Sequence, residues 1–151
     1  MTALTRLLAE YVPTCPQEQA DRRMMLQYCK AYDDLLSRRN AAAHFTASGW
    51  IVNPDRTHVL MAYHNIYKSW SWLGGHADGE ADLLRVSMKE AKEESGLLQV
   101  TPVSNAPLSL EILAVSGHTK RGAYVPAHLH LNLTYLLGCD DGAALHVKAD
   151  E

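Results

Sequence analysis

The stretch that decides the fold is GGHADGEADLLRVSMKEAKEESGL, residues 74–97. Its second half predicts a helix over about residues 82–95. Gly96 follows as a residue that readily takes the left-handed conformation of a helix cap. Gly74 and Gly75 precede the helix and let the backbone approach a bound group closely. The stretch therefore predicts a glycine-containing segment that leads into one central helix.

Glu90, Glu93 and Glu94 share one face of this helix. At about 100° per residue, they fall within an arc of roughly 100°. Carboxylates near a helix C-terminus oppose the macrodipole and repel one another, and Lys89 and Lys92 relieve only part of this. A divalent cation removes the conflict, and clustered oxygen ligands are typical of a Mg²⁺ site, with Mn²⁺ as a substitute. The alternative is a solvated charged face.

The same geometry predicts where the apolar residues of the helix lie. Leu84, Met88 and Ala91 fall on the side opposite to the glutamates, so we expect them to be buried. Leu83 and Val86 fall in line with the glutamates one turn earlier. The polar face is therefore expected only in the second half of the helix.

This stretch resembles the signature of the Nudix hydrolase family. That signature is a glycine, five residues, Glu, seven residues, Arg-Glu, an aliphatic, any residue, Glu-Glu, any residue, Gly and an aliphatic. Aligned without gaps from Gly75, the tail over residues 89–97 matches, with all three glutamates in place. The first glutamate position falls on Ala81, with Glu80 one residue earlier, and Lys89 stands where the family has arginine.

The resemblance implies an α+β fold, a Nudix-type α/β/α sandwich with a mixed sheet. It assigns residues 43–151 to the Nudix hydrolase domain and leaves residues 1–42 as a helical N-terminal extension. Family members usually continue with a further strand and a C-terminal helix, so two alternatives stay open for the 43–151 domain: either that helix is absent, or the chain is trimmed at its C-terminus.

The resemblance also implies an activity, the Mg²⁺-dependent hydrolysis of a diphosphate linkage. The small-molecule substrate would be a nucleoside diphosphate linked to another group. Glu90, Glu93 and Glu94 would hold the metal together with Gly75, and Glu93 or Glu94 would be the catalytic base, with a histidine as the reserve. Three further residues would support the geometry of the signature: Gly74, Lys89 and Gly96.

Two other functions remain open from the sequence. The departures at Ala81 and Lys89 favour a catalytically weakened Nudix-fold module that binds a nucleotide, because residues around metal ligands affect activity by about 10–100-fold. The intact glutamates favour the enzyme. The second alternative is a structural interaction domain that uses an N-terminal helix.

The segment HLHLNLTYLL, residues 128–137, alternates strictly and predicts a strand. Its leucine face is expected to be core. Its other face carries His128, His130, Asn132 and Thr134, and it faces either solvent or substrate. In the preceding loop, residues 116–126, three side chains could bind phosphate or lie on a solvated turn: His118, Lys120 and Arg121.

The rest of the chain predicts two helices followed by strands. Residues 2–11 form the first helix, and a second helix follows Pro16. Strands are predicted at residues 44–53, 58–64 and 109–116. An apolar stripe begins on the second helix and either packs onto the domain or forms a partner or homodimer surface: Met24, Met25, Tyr28, Tyr32, Leu35 and Leu36.

Composition narrows the class of protein. The 151 residues suit one domain, and the net charge of −3 gives no general affinity for a nucleic acid polymer or an anionic membrane. No apolar run approaches the roughly 18 residues that cross a bilayer. The three cysteines have no C-x-x-C spacing, which fits a reducing compartment, and the cytoplasm is the expected location.

Overall fold

The computed structural model describes residues 2–65 and 68–146. Its described helices are α1 (Ala3–Glu10), α2 (Pro16–Ala31) and α3 (Leu83–Ser95). Its strands are, in chain order, β1 (Ala43–Val52), β2 (Val59–Leu60), β3 (Ala62–His64), β4 (Ser69–Ser71), β5 (Leu73–His76), β6 (Thr101–Pro102), β7 (Ser109–Val115), β8 (His118–Lys120), β9 (Ala123–Val125) and β10 (His128–Gly138).

The main sheet has six strands and is mixed. β1 and β10 run parallel at its centre, from the pair Ala43–Leu129 to the pair Val52–Gly138. β2 and β5 pair antiparallel with the other side of β1, and β6 and β7 do the same with β10. The predicted α+β class with a mixed sheet is confirmed.

The two faces of this sheet differ sharply in polarity. Side chains alternate between faces along each strand, so the register places the buried apolar residues on one face, among them Phe45, Leu131 and Leu133. This confirms that the leucine face of β10 is core. The opposite face carries His44 and, at the next two alternate positions of β1, Thr46 and Ser48.

Helix α3 packs against β1 and β5, but with a different side from the predicted one. Leu83 and Val86 are only 1% and 3% exposed, whereas Leu84 and Met88 are half-buried. The expectation for Leu84 and Met88 was therefore wrong in part, while Ala91 is buried as expected. Helical periodicity groups residues by face but does not say which face meets the sheet.

The two N-terminal helices share the core of the sheet. Leu8 of α1 and Met25 of α2 are fully buried in the same cluster as the strand residues. The apolar stripe packs onto the domain in part, since Met24 and Tyr32 are 44% and 47% exposed. Its last two members, Leu35 and Leu36, lie beyond the end of α2.

Two segments differ in structure from their prediction. The predicted loop over residues 116–126 contains the hairpin β8–β9, which turns through Arg121 and Gly122 with φ of 51° and 80°. The predicted strand over residues 58–64 is divided, because β2 pairs with β1 and β3 pairs with β4.

Among the described helices, none is long and apolar enough to cross a membrane. The expectation for a C-terminal helix concerns the end of the chain, and residues 147–151 lie outside the described residues.

Candidate active site

A cavity of about 630 Å³ lies over the polar face of the sheet. Its floor comes from β1, β5 and β10, and its walls include residues of the β3–β4 and β8–β9 hairpins. Arg38 and Lys120 bring positive charge to its lining, and Trp72 brings an aromatic ring. Glu94 of α3 lines it as well.

Glu90 and Glu94 lie against the glycines of β5. A Cβ atom added at Gly75 would collide with the carboxylate of Glu90, so a side chain at this position would displace Glu90. The backbone N–H of Gly74 donates a hydrogen bond of 3.2 Å to Oε2 of Glu94. A Cβ at Gly74 would stand 2.6 Å from the carbonyl oxygen of Ala47. The two glycines therefore let the helix carboxylates meet the strand.

Glu93 differs from the other two glutamates in its exposure. Its side chain is 47% exposed, compared with 15% for Glu90. The Nζ atom of Lys89 lies 3.5 Å from Oε1 of Glu90 and 3.7 Å from Oε1 of Glu93. Glu90 above all, and then Glu93, raise the pKa of Lys89 above its usual value. Lys89 thus bridges two of the predicted metal ligands.

The ends of α3 are capped by local side chains and by a glycine. Gly96 has φ of 73°, and its N–H donates to the carbonyl of Lys92 at 2.9 Å. Asp82 caps the other end by accepting from the N–H of Arg85 at 3.1 Å. Oε1 of Glu80 accepts from the N–H of Asp82 at 3.0 Å, so Glu80 supports the helix start. Ala81, at the family's glutamate position, is exposed.

The polar face of β10 is buried at its centre, so of the two alternatives, a face open to solvent does not hold there. Asn132 is 1% exposed, and its Oδ1 accepts from the hydroxyls of Thr46 at 2.8 Å and Ser48 at 3.0 Å. Its Nδ2 donates to Oε1 of Glu111 at 2.6 Å. Thr134 donates to the same carboxylate oxygen at 3.0 Å. This network joins β1, β10 and β7 beneath the cavity.

Four histidines gather at the other end of the same face. Ring nitrogens of His44, His76 and His130 all lie within 4.8 Å of one another. Nε2 of His128 lies 3.1 Å from Nε2 of His130. The ring centroids of His44 and His128 are 5.0 Å apart, with the rings stacked.

Burial favours the neutral form of His44, His76 and His130. It lowers the pKa of His76 to about 4, with Arg38 adding to the effect. It lowers the pKa of His130 to about 3, and the nearby His76 adds to that shift. Burial also lowers the pKa of His44 below its usual value. Neutral imidazoles offer lone pairs, so the cluster is a set of acceptors at physiological pH.

The phosphate-binding candidates of the 116–126 segment are separated by the hairpin. His118 and Lys120 line the cavity, whereas Arg121 stands at the exposed turn and is not among the described lining residues. His128 and His130 line it too. The structure therefore brings four of the five predicted substrate contacts to one cavity.

Sequence reasoning missed His44, His76 and Arg38. His44 begins an alternating polar pattern with Thr46 and Ser48, and that pattern was the available signal for a polar strand face. His76 directly follows Gly75 in the signature stretch, and a single histidine there gives no spacing that predicts a ligand. Arg38 belongs to an irregular segment, and its guanidinium donates twice to Asp78 at 2.7 Å.

Comparison with known proteins gives matches only among solved structures. No family model matches the chain, and no curated protein does. A NUDIX family hydrolase from Clostridium perfringens is 22% identical with a TM-score of 0.48, over 70% of this chain and 73% of that one. An Ap4A hydrolase from C. elegans is 17% identical with a TM-score of 0.45, over 69% and 72%. The chain is similar to Nudix hydrolases of known structure. At this distance the likeness carries no information about activity, which rests on the residues of the site.

Proposed function

We propose that this protein is a Nudix-type pyrophosphohydrolase that uses Mg²⁺, or Mn²⁺, held by Glu90, Glu93 and Glu94. The reaction is hydrolysis of the diphosphate linkage in a nucleoside diphosphate joined to another group. The observation that carries this proposal is the position of Glu94, which accepts from the N–H of Gly74 and lines the cavity.

The residues present fit a hard divalent cation. Three carboxylates on two successive turns of one helix supply the oxygen ligands that Mg²⁺ prefers. The side chain of Glu90 occupies the space that a Cβ at position 75 would need, so its carboxylate lies directly against β5. The N–H of Gly74 orients Glu94, in the way that outer partners orient metal ligands.

Metal bound there would neutralise charge on the phosphoryl oxygens and lower the pKa of a bound water. Residues of the chain would supply the proton acceptor and the contacts that bind the substrate. Of the two candidate bases, Glu94 lines the cavity and Glu93 is 47% exposed, so we assign the role to Glu94. Lys120, His118 and His128, which line the same cavity, would contact the phosphates.

The lining of the cavity also supports a nucleoside as part of the substrate. Trp72 is 37% exposed and offers a ring face for a base. Arg38 and Lys120 add positive charge where a diphosphate would need it. We place the reaction in the cytoplasm, because all three cysteines are free.

The test is steady-state kinetics on a panel of nucleoside diphosphates linked to sugars, nucleosides or alcohols, with Mg²⁺ saturating. Glu94→Gln should lower kcat by at least about a hundredfold with little change in KM, because its charge matters most in the transition state. His128→Ala should cost less, and mainly in KM. Glu10→Gln, an exposed carboxylate of α1, is the matched control and should keep parental turnover.

The outcomes separate the enzyme from the binding module. Release of product that depends on Glu94 supports the hydrolase. Binding of panel compounds without release of product would contradict it and favour a nucleotide-binding module. Turnover that survives Glu94→Gln would contradict the role assigned to Glu94.

A further inference from the structure

Three imidazoles from three different strands converge at one end of the polar face. The register makes His44 of β1 the direct neighbour of His130 of β10, and it places His76 of β5 opposite Thr46. Their ring nitrogens lie within 4.8 Å of one another. All three residues line the cavity. Three nitrogen donors at this spacing can reach a single ion.

His44 presents an unsatisfied lone pair to this group. The residue is 4% exposed, and its Nδ1 lies 3.0 Å from the carbonyl oxygen of Asn40, so Nδ1 carries the proton. Nε2 has no hydrogen-bond partner among the described residues. A buried acceptor that is left unpaired is unfavourable. A bound cation would satisfy it.

Asn40, whose carbonyl oxygen accepts from His44, is itself held in place by hydrogen bonds. Oδ1 of Asn40 accepts from the N–H groups of Ala42 and Ala43, both at 3.2 Å, and its Nδ2 donates to Asp34 at 2.8 Å. A metal-bound histidine usually donates its other ring N–H to a fixed carbonyl or carboxylate. His44 has this arrangement before any ion is bound.

His130 is oriented through His128 in a similar way. Nδ1 of His128 lies 2.8 Å from the carbonyl oxygen of Pro126, so this nitrogen carries a proton. In the neutral tautomer of His128 that results, the lone pair is on Nε2, and the 3.1 Å contact between the two Nε2 atoms is a hydrogen bond donated by His130. The lone pair of His130 is therefore on Nδ1, and His128 serves as its outer partner.

We propose that His44, His76 and His130 bind a transition metal ion of the Zn²⁺ class, with a further coordination position open to the cavity. Imidazole suits Zn²⁺, Co²⁺ and Ni²⁺, whereas Mg²⁺ prefers oxygen. Three histidines with one open position form a known type of zinc site. The site is chemically distinct from the glutamate cluster, and it stands whether or not the chain hydrolyses a diphosphate. Its open position would accept a phosphate oxygen or water.

The experiment titrates Zn²⁺ into the full chain after removal of metal by a chelator. Millimolar Mg²⁺ is kept present so that the carboxylates are already occupied. His76→Gln and His130→Gln should each weaken Zn²⁺ binding by at least about tenfold, since loss of even an outer partner costs about 10–100-fold. His58→Gln changes an exposed histidine that does not line the cavity, and it should leave binding unchanged. Glu94→Gln should leave it unchanged as well.

A second measurement does not depend on the folding of any variant. Addition of Zn²⁺ to the parent should shift the imidazole ¹⁵N resonances of the three histidines. Co²⁺ in its place should give visible bands of nitrogen coordination without a thiolate charge-transfer band.

Several results would overturn the proposal. These are a parent that does not bind Zn²⁺, unchanged affinity in folded His76→Gln and His130→Gln, or unmoved histidine resonances. A thiolate band would place the ion on a cysteine, and a loss in Glu94→Gln equal to that in the histidine variants would place it on the glutamates. Turnover with Mg²⁺ alone is measured separately, so failure here and failure of the hydrolase proposal are distinguishable.

Discussion

At the scale of single residues, the glycines of β5 decide how closely α3 approaches the sheet. Gly74 and Gly75 lie at the positions where any side chain would meet either the backbone of β1 or the carboxylate of Glu90. Neither has a positive φ, so close approach and not backbone conformation requires glycine here. The same absence of side chains lets Gly74 donate to Glu94.

Gly75→Ala should displace Glu90, because the added Cβ would collide with its carboxylate. We expect a loss of about 1–3 kcal/mol in stability, the usual cost of overpacking, and a smaller rise in Tm when millimolar Mg²⁺ is added. Thermal melts with and without Mg²⁺ measure both effects. Gly142→Ala is the control, since its Cβ would meet nothing closer than 3.4 Å. An undiminished Mg²⁺ effect in Gly75→Ala would argue against Glu90 as a ligand.

At the scale of elements, α2 covers the free edge of β7 with polar side chains. Nε2 of Gln17 donates to the carbonyl of Leu110 at 3.2 Å, and Asp21 accepts from the N–H of Ile112 at 2.9 Å. Between them, Glu18 is buried and accepts from the hydroxyl of Tyr11 at 2.8 Å. Unpaired strand edges invite association with other chains, and these contacts close this one.

Glu18→Gln should destabilise the fold by about 1–3 kcal/mol at neutral pH, because it removes charge-assisted hydrogen bonds. Burial alone would raise the pKa of Glu18, but the bonds from Thr14 and Tyr11 outweigh it and hold the pKa below its usual value. A carboxyl whose pKa is lower in the folded state stabilises above its unfolded pKa of about 4.3, and it loses that contribution as the pH falls through the folded pKa.

The difference between parent and variant should therefore be largest at pH 7 and shrink below about pH 4. Urea unfolding at the two pH values measures it, with the exposed Glu10→Gln as control. A difference that stays constant with pH would show that the charge of Glu18 contributes nothing.

At the scale of the whole molecule, the polar face is held together by one buried network. Asn132 links the hydroxyls of β1 to the carboxylate of Glu111 on β7, and the central strand β10 carries it. The cavity and the histidine group stand on this floor. The polar groups of the floor are buried and mutually satisfied, which makes the arrangement costly to disturb.

Asn132→Ala should lower stability by about 2–4 kcal/mol, because Thr46, Ser48 and Glu111 would each lose a buried partner. Urea unfolding measures the loss, and the exposed Asn105→Ala should change little. Equal stability of the two variants would mean that water replaces the lost amide without cost.

The sequence alone determined the elements whose causes are local. The extent of α3, its glycine cap at Gly96 and the shared arc of Glu90, Glu93 and Glu94 all follow from the repeat of a helix. The two faces of β10 follow from the period of a strand. These features depend on residues a few positions apart, so they can be predicted before the chain is folded.

Only the tertiary structure decided which of these faces meet. The parallel register of β1 and β10 places His44 beside His130, although 85 other residues separate them in the chain, from 45 to 129. The packing of α3 on β5 turned Leu83 and Val86 inward and set Glu90 and Glu94 against the glycines. Strand pairing and helix packing are choices between distant segments, and a periodic pattern carries no information about its partner. His44, His76 and His130 come together only through such pairings, so their spacing in the sequence does not predict the group.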